Sequence, residues 1–167
     1  MRSAPGTEQM LSVMEVILSL KATPLFRDVP GEGLKRLSDF IHEKTVAADE
    51  IIFAEQDLGD EMYLVRKGSV SILQTIDGEL SLLETVAPGG YFGEMAIIDD
   101  QPRAATAKAT EPTSLLVLHG NDFRAAVQDY PDIAFEVFRE FTRRIRAADE
   151  RYRKLAEEAR RLGLETH

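Results

Sequence analysis

The sequence of 167 residues contains no cysteine and no tryptophan. Without thiols there are no disulfides, no thiolate metal sites and no cysteine nucleophile. Long apolar runs are missing too. The best candidate, Met10–Leu20, is broken by Ser12, Glu15 and Ser19, whereas a bilayer-spanning helix needs about 20 apolar residues. The N-terminus lacks the ordered charged start, apolar stretch and cleavage site of a secretory leader. A soluble, cytoplasmic chain with no membrane partner is expected. Positive charge is in deficit, with 20 Lys and Arg against 29 Asp and Glu and a net charge of −9. Broad attachment to nucleic acid needs faces of Lys and Arg, so this chain by itself is not expected to bind it. A small anionic ligand requires a local cationic site that overrides the field. Histidine is scarce and scattered, at His42, His119 and His167. That spacing argues against a metal-dependent barrel enzyme, whose ligands cluster. Ser/His/Asp chemistry lacks a nucleophile motif. Neither an enzyme nor a bound metal or cofactor is expected.

What is present points to one domain with extensions. Apolar residues make up 44%, enough for a core, and domains typically run to about 100–200 residues. Residues 1–7 are small and polar and read as a tail. Residues 8–20 predict a helix with Met10, Met14, Ile17 and Leu18 on one face and Leu11 and Val13 beside it. Pro24 and Val29-Pro30-Gly31 interrupt the chain. A short helix follows over 32–42, with Leu34, Leu37, Phe40 and Ile41 on its apolar side. From 43 to 118 the period shortens to two. Strands are expected near 43–47, 50–54, 62–66, 69–75, 80–86, 104–109 and 113–118, separated by turns at Gly59-Asp60, Lys67-Gly68, Asp77-Gly78 and Pro88-Gly89-Gly90. Many short strands at close spacing imply a β-roll or jelly roll, so the chain reads as mainly β with flanking helices. The division expected is 1–21 for a tail and helix, 22–130 for the β-roll and 131–167 for a C-terminal helix.

Helix returns after Gly120, with Asn121 as the expected N-cap and a stop near 129. Pro131 fits the first turn of a long helix reaching about 162. That helix carries Ala134, Phe138, Phe141, Ile145, Ala148, Tyr152, Leu155, Ala159 and Leu162 at alternating spacings of a heptad seam. Its first half is free to pack against the β-roll. Beyond 145 little chain remains to cover it, which favours a self-paired coiled coil and hence a homodimer through 134–162. A different polypeptide partner or an attached domain is the alternative.

Chemistry concentrates in Gly90–Ala109. Gly93 permits a conformation or approach that a side chain blocks. Residues 94–98 can form a helical turn whose first N–H groups point at an anion. Arg103 can donate two parallel hydrogen bonds to a phosphate, and the small Ala104 and Ala105 let backbone amides approach the same oxygens. Glu94 beside such a site makes sense as an acceptor for a sugar hydroxyl, and phosphate with ribose is a nucleotide. The bland alternatives are a surface ion pair between Glu94 and Arg103, which is worth little, and a solvated loop at Asp99-Asp100. Gly59 and Gly68 read as turn glycines.

Phe92-Gly93-Glu94-Met95-Ala96-Ile97 followed by Arg103-Ala104-Ala105-Thr106-Ala107 resembles the phosphate-binding cassette of cyclic-nucleotide-binding domains. Gly59-Asp60-Glu61-Met62-Tyr63-Leu64, with Gly68 in the next turn, is similar to a second signature of that family. The resemblance spans roughly 22–150. It implies that Glu94 accepts from the ribose 2′-hydroxyl and Arg103 pairs with the cyclic phosphate. It further implies that the amides of Gly93, Met95, Ala96 and Ala105 donate to the ligand. Val70, Ile72, Leu83 and Tyr91 are expected to line the pocket. In the family a hydroxyl residue directly after the arginine goes with guanine. Ala104 stands there, which favours cAMP over cGMP. The lid positions implied by members of the catabolite-activator type fall on Ala148 and Asp149, neither a hydroxyl residue. Asp149 can accept from the adenine amino group, and Tyr152 or Arg151 can stack on the base. The implied function is a cyclic-nucleotide sensor in signal transduction with a separate or attached output domain. The alternatives are the sensor half of a transcription regulator and an interaction module with a degenerate pocket.

Overall fold

A computed structural model describes residues 11–164. Two helices, α1 (Val13–Ala22) and α2 (Gly31–Ser38), precede eight strands. The strands are β1 (His42–Val46), β2 (Ile51–Phe53), β3 (Glu61–Lys67), β4 (Val70–Ile76), β5 (Glu79–Val86), β6 (Tyr91–Phe92), β7 (Thr106–Ala109) and β8 (Thr113–His119). A single helical turn, α3 (Ala96–Asp99), separates β6 from β7, and α4 (Gly120–Asp129) and α5 (Asp132–Arg161) close the chain. The strands form two antiparallel sheets, in the orders β1-β8-β3-β6 and β2-β7-β4-β5. This is the expected jelly roll.

Alternation along β3 and β8 explains the layering. Tyr63, Val65, Leu115 and Val117 point between the sheets, where they pack with Val46, Val70, Val86, Phe92 and Ala107. Met62, Leu64, Leu116 and Leu118 point the other way, onto a second core. Helices cover that core with Leu20, Leu34, Leu37, Phe123, Ile133 and Val137. Both faces of β3 and β8 are therefore dry, and their sequences read as near-continuous apolar runs.

The helix ends depart from expectation in instructive ways. α1 starts at Val13 because Ser12 and Glu15 form a reciprocal capping box; residues 8–10, including Met10, lie outside the described residues. Its buried residues are Val16 and Leu20, while Met14 and Leu18 are more than half exposed. The helix is apolar on most sides, so periodicity alone did not choose the inward face. α2 stops at Ser38 and leaves Phe40 and Ile41 in the connection to β1. At α4 the N-cap is His119, not Asn121, whose side-chain oxygen instead accepts from Arg124. β6, two residues long, is the strand the pattern did not reveal.

On α5 the buried residues are Ile133, Val137 and Glu140, with Phe141 packed beside them. This stripe lies next to the heptad seam, so the first half of the helix packs through it and not through Phe138. Phe138, Ile145, Tyr152, Leu155 and Leu162 are all more than half exposed.

Candidate functional site

A cavity of about 350 Å³ opens where β4, β5, β6 and the segment 93–105 meet. Small-molecule sites commonly enclose about 300–1,000 Å³. Ten expected site residues line it: Gly93, Glu94, Met95, Ala96, Arg103, Ala104, Ala105, Ile72, Leu83 and Tyr91. Three do not. Val70 shares the face of Ile72 but sits two residues deeper, fully buried in the inter-sheet core. Asp149 and Tyr152 are exposed on α5, beyond the end of the cavity wall.

Arg103 forms the floor. Its backbone is clamped to the preceding loop by paired bonds, Arg103 N–H to the Asp57 carbonyl and Gln56 N–H to the Arg103 carbonyl, each 2.8 Å. The side chain is only 4% exposed. One terminal nitrogen donates to the Gly93 carbonyl at 3.0 Å, and the guanidinium carbon lies 4.1 Å from the centre of the Phe53 ring. Among the described residues the buried Nε has no hydrogen-bond partner. Burial lowers the Arg103 pKa, offset in part by Tyr63, Glu61, Asp57 and Asp60, yet an arginine stays charged. A buried guanidinium with an unused donor is costly unless an anion completes it.

Two glycines make room for that group. At Gly93 the backbone φ is +77°, and a Cβ would stand 2.9 Å from an Arg103 terminal nitrogen and 3.2 Å from the Glu61 carbonyl oxygen. At Gly59 a Cβ would meet the same guanidinium at 2.6–2.9 Å. Gly59, expected as a turn residue, lies in no turn; the space it leaves holds Arg103. Gly68, with φ of +87° between β3 and β4, is the turn glycine expected.

Glu94 forms the opposite wall. It is buried, and its Oε1 accepts from Arg144 of α5 at 2.8 Å. The same arginine donates to the Tyr91 hydroxyl at 3.1 Å. Burial pushes the Glu94 carboxyl up, more than its own backbone bond and Arg144 pull it down. At Arg144 the balance is opposite: its own burial is outweighed by Glu94 and Tyr91, and its pKa rises. The two directions differ because Arg144 is nearly half exposed while Glu94 is not. Burial likewise pushes the Tyr91 phenol up to about 12.

Arg144 was missed by sequence reasoning, which took the lid from the positions the resemblance implies, at Ala148 and Asp149 further along the helix. A signal existed: the buried stripe Ile133, Val137, Glu140 and Phe141 extends by one more step to 144. Phe53, Gln74 and Glu84 also line the cavity and carried no motif. The cassette is tied to the rest of the fold by Arg124 of α4. It donates to the Ile97 carbonyl at 3.2 Å and pairs with Asp60 at 3.6 Å and Asp100 at 3.7 Å.

The sequence profile described as "Cyclic nucleotide-binding domain" matches residues 43–130. The chain is 34% identical over 131 residues to the "Cyclic AMP receptor protein" of Thermus thermophilus, covering 78% of this chain and 61% of that protein. It is 33% identical over 137 residues to the "cAMP-dependent protein kinase regulatory subunit" of Emericella nidulans, covering 76% and 33%. The solved regulatory domain of Toxoplasma gondii PKA with cAMP superposes with a TM-score of 0.66 at 30% identity, over 70% of this chain and 45% of that one. The chain thus spans from about a third to about three fifths of the length of these curated relatives.

Proposed function

Because the chain belongs to the cyclic nucleotide-binding domain family, we propose that its cavity binds cAMP and that it acts as a regulatory sensor rather than as an enzyme. The observation that carries this reading is Arg103, buried in the cavity floor with an unpartnered donor. In this reading Arg103 pairs with the cyclic phosphate, helped by the amides of Gly93, Met95, Ala96 and Ala105. Glu94 accepts from the ribose 2′-hydroxyl, while Ile72, Leu83 and Tyr91 flank the sugar and base. Ala104 offers no hydroxyl to a guanine, and both relatives above are named for cAMP. Calorimetric titration with cAMP, cGMP and a cyclic dinucleotide tests the assignment. One saturable site with cAMP the tightest is expected; no saturable binding by any of the three overturns it.

Segment 22–130 is then the sensor, and α5, within the segment that begins at 131, is the lid and dimerisation helix. In this reading Arg144 takes the lid role in place of Asp149 and Tyr152. A ribose hydroxyl competes with Arg144 for the same carboxylate, so occupancy shifts the bond that fastens α5 to the cavity. A ligand moves such an equilibrium only through unequal contacts with its two states. Hydrogen exchange along 134–162 should therefore change on adding cAMP, and unchanged protection there refutes the coupling.

Exposed Phe138, Ile145, Tyr152, Leu155 and Leu162 provide the seam for a homodimer, with a separate or attached output domain reading α5. Analytical ultracentrifugation should find a dimer, and Leu155→Glu should shift it to monomer. A wild-type monomer across all concentrations removes the seam.

Gly59→Ala should cost about tenfold in cAMP affinity. The added methyl displaces the guanidinium, a loss of roughly one charge-assisted hydrogen bond. Thermal stability should fall little, because Gly59 has no positive φ. Unaltered affinity dissociates Gly59 from the arginine.

A further inference from the structure

The histidines that looked scattered are not all apart in space. His42, Glu61 and His119 lie on β1, β3 and β8, neighbours in one sheet. Glu61 pairs directly with His119, and His42 pairs with Val117, two residues before His119. The period of two puts all three on the same face. Their ligand atoms lie within 4.8 Å of one another. Glu61 Oε1 is 3.4 Å from His119 Nε2. The two imidazole rings stack, with centroids 5.3 Å apart and planes inclined by 20°. None of the three lines the nucleotide cavity.

We propose that His42, Glu61 and His119 form a site for a divalent transition ion of the zinc type. Imidazole selects zinc, copper and nickel, whereas magnesium and calcium prefer all-oxygen shells. With metal–ligand bonds of about 2.0–2.1 Å, tetrahedral donors stand about 3.3 Å apart. The Glu61–His119 edge already has that length. His42 is the exposed member, and since its ligand atom lies within 4.8 Å of the other two, a side-chain movement of at most about 1.5 Å closes the remaining gap to that spacing. The carboxylate is pre-oriented: the Tyr63 hydroxyl donates to Oε2 and leaves Oε1 facing His119. Such outer hydrogen bonds fix a ligand's direction. Lys44, two residues along the same face of β1, is the cation the ion must tolerate; its Nζ lies 5.9 Å from the Tyr63 ring centre. Water fills the open position, as in other three-ligand sites.

The tag-free chain would be titrated with Zn²⁺ by calorimetry and with Co²⁺ by visible absorption. One ion per chain is expected. His42→Gln and His119→Gln should each weaken binding at least tenfold, Tyr63→Phe about tenfold, and His167→Gln not at all. Cyclic-nucleotide titration and circular dichroism of each variant report whether it is folded. Absence of saturable binding by the wild-type chain overturns the proposal, because the same atoms then make only an ion pair and a ring stack. Binding that ignores both His42→Gln and His119→Gln, or that disappears in His167→Gln, overturns it equally.

Discussion

Arg103→Ala should weaken cAMP binding about a hundredfold or more while leaving the melting temperature within a few degrees of wild type. The two halves of this expectation have different causes. A charge-assisted hydrogen bond is worth about 1.5–3 kcal/mol, and each 1.4 kcal/mol is a factor of ten. A guanidinium able to donate twice to one phosphate, in a site 4% exposed, belongs at the top of that range or above it. In the free chain the same group is a burden: it is desolvated, donates once to Gly93 and leaves Nε unused. Removing an incompletely satisfied buried charge has little net cost to folding. Arg103→Lys should recover part of the affinity, because it restores the charge without the parallel donors. Calorimetry beside a thermal melt checks both halves. Affinity within threefold of wild type contradicts the phosphate role, and a collapse of the fold reassigns Arg103 to structure.

Glu94→Gln should weaken cAMP by about ten- to a hundredfold and its 2′-deoxy analogue far less. Only the ribose hydroxyl distinguishes these ligands, so equal losses remove Glu94 from that role. A pH profile gives an independent reading. Burial raises the Glu94 pKa in the folded chain. The stability this group contributes to the free chain is therefore complete below its unfolded pKa and is lost as pH rises through the folded one. Ligand binding follows the opposite sense, since a hydroxyl donates to the ionised carboxylate. Wild-type affinity for cAMP should drop as pH falls through the raised Glu94 pKa, and Glu94→Gln should show no such drop. A wild-type profile as flat as the variant's contradicts the assignment.

The cassette was legible because its constraints are local. Gly93, Glu94 and Arg103 stand close in sequence, and each residue type suits a different part of the proposed ligand. Seven of the eight strands were legible through alternation and turn residues; β6 is two residues long and has no period to detect. What the pattern could not separate were positions whose surroundings depend on a distant element. Val70 and Ile72 have the same local pattern, and only the packing of the second sheet separates core from cavity wall. Asp149 came from a lid position that the resemblance implies, and Tyr152 from its nearness to that position. The partner Glu94 meets depends on where α5 crosses the cavity, which Ile133 and Val137 settle by burying themselves in the helix-covered core.

Sequence by itself determined the kind of chemistry: an arginine, an acid and small residues in an order that suits an anion beside a sugar, carried on a β-roll. Tertiary structure decided which side chain meets which, because contacts such as Arg144–Glu94, Gly59–Arg103 and His42–His119 join residues whose separation along the chain sets no distance between them. Local propensity acts over a turn or a strand. Assembly of a site across two sheets and a helix is governed by how their apolar faces bury one another.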